Sequence, residues 1–127
     1  MILGLGLDLV DIARMARILE GPPARAERFV ARVFTAGERA YCDARVDRAT
    51  RYAARFAAKE AALKALGVPA GLRFQELEVV RGEGAPALVL SGAAEEAARR
   101  LGVARLHLSI THDGGTAAAV VVAEGTP

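Results

Sequence analysis

The chain opens on strict alternation: Leu3, Leu5, Leu7 and Leu9 fall on one side of a two-residue period, and Gly4, Gly6 and Asp8 on the other. That period belongs to a strand. It predicts a leucine face turned into the core and a nearly bare backbone face ending in a carboxylate. The spacing then changes. Ile12, Met15 and Leu19 make a helical stripe that Asp11 can cap, with Arg14, Arg17 and Ile18 beside it, and Gly21-Pro22-Pro23 closes the helix. A second short helix follows, with Phe29, Val30 and Val33 inward. Thr35 and Glu38 have the spacing of a capping box, which starts a third helix near Ala36. The longest helix is expected from a cap at Asp47 to about Leu66, closed by Gly67, with Tyr52, Phe56 and Leu63 as much of its core stripe.

Beyond Gly71 the pattern shortens into strands at about 73–80 and 87–90, joined across Gly82-Glu83-Gly84. Ser91 is placed to cap an alanine-rich helix that ends at Gly102. Two last strands, 106–111 and 116–123, meet at His112-Asp113-Gly114-Gly115. The expected fold class is α+β: a single domain over residues 1–127, with an antiparallel region late in the chain.

Composition narrows the classes. With 127 residues, 53% hydrophobic and 25% charged, the chain can build one core and is not a disordered tail. The longest stretch free of charge, Gly84 to Ala94, is 11 residues and contains Pro86, too short to span a membrane. Asp8 interrupts the first apolar run, which argues against a signal peptide. Cys42 is the single cysteine, so an internal disulfide is excluded and a cytoplasmic location is expected. A net charge of +2 gives no argument for nucleic acid. Of 17 basic residues only Lys59 and Lys64 are lysines, and arginine does not imitate a compact ammonium on a flexible stem.

Candidate chemistry gathers in three places. Asp8 is either an acid facing a ligand or a cap for the next turn. Glu60 and Lys64 are four apart on one helix face, with Arg55 and Lys59 one step round. The plain alternative for Glu60 and Lys64 is a solvated salt bridge; against it, the surrounding alanines suggest open space around the charges. His112 precedes a Gly-Gly turn, while His107 alternates with Leu106 and Leu108 and faces away from them. Five apart on a strand, the two histidines do not form a metal pair. Several motifs fail: Gly4 and Gly6 lack the third glycine of a dinucleotide fingerprint, no Walker loop is present, Cys42 has no nearby histidine, and Ser109 lacks elbow glycines.

In order, the blocks GLGLDLVDIAR (4–14), FTAGE (34–38), RFAAKEAALKALG (55–67) and HLSITHD (107–113) resemble the holo-acyl-carrier-protein synthases, the small bacterial 4′-phosphopantetheinyl transferases. The resemblance covers nearly the whole chain. It departs at Arg51-Tyr52, where relatives usually carry an aromatic-leucine pair, and at the small residues after His112. It implies transfer of 4′-phosphopantetheine from coenzyme A to a serine of an acidic apo-acyl carrier protein of fatty acid biosynthesis, releasing adenosine 3′,5′-bisphosphate. It further implies Mg2+ on Asp8 and Glu60, with Lys64 on the transferred phosphate. Arg55 and His112 would contact the nucleotide's phosphates, Pro86 would pack near the adenine, and Arg45, Arg48 and Arg51 are alternatives for the 3′-phosphate. Arg14, Arg17 and Ile18 would dock the carrier protein, and a homotrimer would carry sites between subunits. The base for the serine is a metal-bound water or Glu60.

Two other readings compete. A non-catalytic module that binds coenzyme A or a carrier protein would be favoured if either acid were missing, and both are present. A two-metal phosphohydrolase would need more acids or histidines than Asp8 and Glu60.

Overall fold

A computed structural model of the chain describes residues 1–81 and 84–127. The elements run β1 (Ile2–Asp11), α1 (Ile12–Leu19), α2 (Pro23–Val33), α3 (Ala36–Asp43), α4 (Arg48–Ala65), a 3-10 turn (Phe74–Glu76), β2 (Leu77–Val80), β3 (Ala87–Leu90), α5 (Gly92–Leu101), β4 (Val103–Asp113) and β5 (Thr116–Gly125). One sheet has the order β1-β5-β4, antiparallel throughout; β2 and β3 form a separate antiparallel pair. The expected α+β class holds. Of the turn expected between β2 and β3, Gly82 and Glu83 lie outside the described residues.

Helix α4 is the axis of the fold, with Tyr52, Ala53, Ala57, Ala58, Ala61 and Ala62 all fully buried. Its alanines therefore do not open space around the charges, as expected above. They are contact surface, small because β1 lies directly against them. A Cβ at Gly4 would collide with the carbonyl oxygen of Ala65, and one at Gly6 with that of Ala61. The glycine face of β1 thus packs against the helix, and the expected leucine core is corrected. Leu5, Leu7 and Leu9 point outward at 63%, 59% and 66% exposure. Alternation fixes which residues share a face but not which face is covered. Here backbone-to-backbone contact covers the glycines.

Caps follow the same theme of substitution. Asp11 caps α1 by accepting from the Ala13 N–H at 3.0 Å, and Thr35 with Glu38 forms the expected capping box. Asp47 and Ser91 hold N-cap positions without capping through their side chains. The Asp47 carboxylate accepts from Arg51 at 3.2 Å instead. In place of Ser91, Glu76 accepts from the backbone N–H groups of Arg73 (2.8 Å) and Ala93 (2.9 Å). That clamp explains why the chain turns at 74–76 before the strand that the sequence pattern began at 73. The β4–β5 hairpin closes on Gly114 and Gly115, with φ of +58° and +82°, the left-handed pair that a tight hairpin demands.

Candidate active site

The glycine packing of β1 slides Asp8 along α4 until it meets the helix's polar residues. Lys64 Nζ donates to Asp8 Oδ1 at 3.1 Å and to the Leu7 carbonyl oxygen at 2.9 Å. The solvated salt bridge between Glu60 and Lys64 does not form; the lysine crosses to β1 instead. Asp8 is not a turn cap either, since Asp11 performs that task. Glu60 is half-buried, and its carboxyl is held above the ordinary carboxylate range, first by burial and then by the Asp8 charge, with Lys64 acting against both.

These three residues line a cavity of about 540 Å³. Arg14 and Ile18 from α1 line it too, while Phe29 and Phe56 form an apolar wall. Arg17 stands apart, exposed on α1 and outside this cavity. The sequence placed both phenylalanines in the core; their half-burial at the cavity emerges only when α2 meets α4. Asp8 and Glu60 are hard oxygen donors on adjacent elements, and no group of three or more His, Cys, Asp or Glu side chains is poised for a metal among the described residues. A cation there would draw its other ligands from substrate or water.

A second cavity, of about 300 Å³, shares no lining residue with the first. Arg51, Arg55, Arg81, Pro86, Thr111 and His112 line it. The structure thus brings Arg55, Pro86 and His112 together, but away from Asp8 in the same chain. Among the arginine alternatives, Arg51 lies in this cavity. Arg45 sits over the Tyr41 ring at 4.2 Å, and Arg48 is drawn to Asp43 at 2.7 Å. Arg55 is buried with its guanidinium 3.8 Å from the Tyr41 ring centroid, and its Nε has no hydrogen-bond partner. Such an unmet buried donor suits an incoming anion. Arg81 was not foreseen, because a lone arginine before a turn carries no sequence signal.

Lys59 takes a structural role, and Cys42 is as inert as its lack of a nearby histidine predicts. Lys59 is fully buried and donates to Glu38 Oε1 at 2.6 Å and the Leu77 carbonyl at 3.0 Å. Burial pushes the Cys42 thiol up to about 12, which rules it out as a nucleophile at neutral pH.

The family model described as the 4′-phosphopantetheinyl transferase superfamily matches residues 4–121. The chain belongs to that superfamily. It is 73% identical over 126 residues to a holo-[acyl-carrier-protein] synthase of Anaeromyxobacter dehalogenans, covering 99% of this chain and 98% of the relative. Identity to the Myxococcus xanthus synthase is 54%, over 94% and 92% of the two chains. Among solved structures, the Helicobacter pylori synthase in complex with coenzyme A matches with a TM-score of 0.79 and 32% identity, covering 94% of this chain and 99% of that one. No helix among the described residues is long and apolar enough to cross a membrane.

Proposed function

We propose that the Asp8–Glu60–Lys64 cavity is where this enzyme transfers 4′-phosphopantetheine. The activity is that of a holo-acyl-carrier-protein synthase: the group moves from coenzyme A to a serine of apo-acyl carrier protein, and adenosine 3′,5′-bisphosphate leaves. The serine oxygen forms a bond to the phosphorus bearing pantetheine as the bond to the bridging diphosphate oxygen breaks; the serine proton departs. The observation that carries the assignment is the convergence of two acids and a lysine, with Arg14 and Ile18 on the same cavity.

Asp8 and Glu60 would hold one Mg2+ ion, which when bound supplies charge neutralisation for the diphosphate. Lys64 places an ammonium on the phosphate being transferred, where charge develops. Glu60, on the same cavity as Asp8 and Lys64, is the group of this chain that we assign to take the serine proton. The coenzyme's nucleotide lies in the second cavity, with Arg51, Arg55 and His112 on its phosphates and Pro86 near the adenine. Arg14 and Ile18, with Arg17 on the same short helix, meet the acidic carrier protein, an attraction that weakens with salt.

The two halves of the site become one across subunits. The outward Leu5, Leu7 and Leu9 pair in register with Val122, Val120 and Ala118 of β5, giving an apolar sheet face that a homotrimer would bury. One subunit then supplies Asp8, Glu60 and Lys64, and its neighbour Arg55 and His112. We place the enzyme in the cytoplasm, where its carrier protein and coenzyme A occur together.

Intact mass of apo-acyl carrier protein incubated with the enzyme, coenzyme A and Mg2+ tests this. The expected gain is about 340 Da on the acceptor serine, a covalent transfer to a nucleophilic hydroxyl, and it is lost with chelator. Binding of coenzyme A with no mass gain on several carriers would make the chain a binding module.

A further inference from the structure

Lys64 has two claims on it. The transfer reaction needs its ammonium at a phosphate, yet in the structure it is bound to Asp8 Oδ1 and the Leu7 carbonyl oxygen. Asp8 is also one of the two carboxylates available to a cation in that cavity. Resting on the metal assignment above, we infer that Lys64 and a cation compete for Asp8: the ammonium and the metal claim the same carboxylate, and cation binding displaces the lysine toward the substrate phosphate.

Three features support an exchange rather than a fixed pair. The contact is half-open, with 47% of the Lys64 side chain and 18% of the Asp8 side chain exposed, so the ammonium leaves without crossing packed structure. Its second partner is a neutral carbonyl, which costs little to give back to water. Across β1 from the same helix no other cation touches Asp8 among the described residues; Arg14 lines the cavity without an ion pair there. Metal affinity of the free enzyme is therefore lowered by competition, and substrate phosphates, by accepting the released ammonium, restore it. Metal and coenzyme A should bind with positive coupling.

The chain has only two lysines, so side-chain 15N spectroscopy reports the exchange directly. Lys59, sealed against Glu38, is the internal control. Titrating Mg2+ into the free enzyme is expected to move the Lys64 Nζ signal and leave the Lys59 signal in place. Mn2+ binding, followed by water proton relaxation, is expected to tighten about two- to fivefold in Lys64→Met, the scale of a half-exposed ion pair. Arg14→Met removes the same charge without touching Asp8 and should tighten binding less. An unmoved Lys64 signal overturns the inference, as does Lys64→Met binding Mn2+ no more tightly than wild type, or Arg14→Met matching Lys64→Met. The metal assignment is tested separately with coenzyme A present: if Glu60→Gln then binds Mn2+ as wild type does, that assignment fails, whatever Lys64 does.

Discussion

Helix α4 carries two lysine–carboxylate pairs five residues apart, and they differ in what is left over. In the first, Glu38 and Lys59 are fully enclosed. The carboxylate accepts from Lys59 Nζ, the Thr35 N–H at 2.9 Å and the Val79 N–H at 2.8 Å, while the ammonium also reaches Leu77. Burial pulls the Lys59 ammonium below the ordinary lysine value, and Glu38 opposes that pull. The second, Lys64 with Asp8, faces a cavity and leaves carboxylate oxygens free beside a Glu60 that Asp8 itself perturbs. A saturated pair binds α3, α4 and β2 into one unit. An unsaturated pair has capacity for a ligand. The same two residue types thus hold the fold together at one position and line an open cavity at the other.

The largest expected effect attacks the sealed pair. Lys59→Met leaves Glu38 buried without its cation, which costs about 3–5 kcal/mol of stability, read from denaturant unfolding. A variant as stable as wild type would break the contrast from the structural side. Lys64→Met should do the reverse: the transfer rate falls roughly 10²- to 10³-fold, the scale of losing one group that stabilises developing charge, while unfolding changes by no more than about 1 kcal/mol. Steady-state transfer and denaturation on one preparation give both numbers.

Next in size is Gly6→Ala. The added methyl meets the Ala61 carbonyl oxygen, and displacing α4 from β1 costs about 1–3 kcal/mol, as overpacking does. Because that packing positions Asp8, transfer should decline along with the melting temperature. A variant that melts normally and transfers normally would show that the close approach does not set the site.

The smallest effect is a pH dependence. Glu60 has a folded-state pKa above its unfolded value, so the native state holds this proton more firmly. Its contribution favours the fold at low pH and is lost as pH rises from the ordinary glutamate range through the raised value. In the metal-free enzyme, Glu60→Gln should therefore match wild type near pH 4 and be slightly more stable at pH 7. The gain is a fraction of a kcal/mol, about what solvent screening leaves to a partly exposed group. A Gln variant less stable at pH 7 would mean that the protein's own groups satisfy the Glu60 carboxylate.

Much of this was legible in the residues themselves. Periodicity, cap signals and composition together located α1 to α5, because stripes such as Ile12, Met15 and Leu19 and boxes such as Thr35–Glu38 are local and need no tertiary help. It marked the strands as well, although the last two extend beyond the expected ends. The direction in which β1 faces was not legible: four leucines opposite two glycines look like a core ladder until α4's backbone is seen to need the glycine side. Side-chain caps at Asp47 and Ser91 failed for a related reason, since Arg51 and Glu76 outcompete them through contacts that local sequence does not encode. At the site, the residues marked Asp8 and the Glu60–Lys64 pair as separate candidates and only the family resemblance joined them; the structure lines one cavity with all three, and the partner of Lys64 was not foreseen. The i,i+4 rule offers Glu60, and tertiary packing supplies Asp8. Arg81 joined the second cavity solely through the position of β2.

The central claim is that the open pair performs the transfer and the sealed one does not. Asp8→Asn tests it most directly, because it removes one charge while keeping the side chain's shape. The transfer rate to apo-acyl carrier protein at saturating coenzyme A and Mg2+, followed by intact mass beside a thermal melt of the same sample, is predicted to fall at least about 10²-fold with the melt little changed. An Asp8→Asn enzyme that modifies its carrier at the wild-type rate would contradict the account.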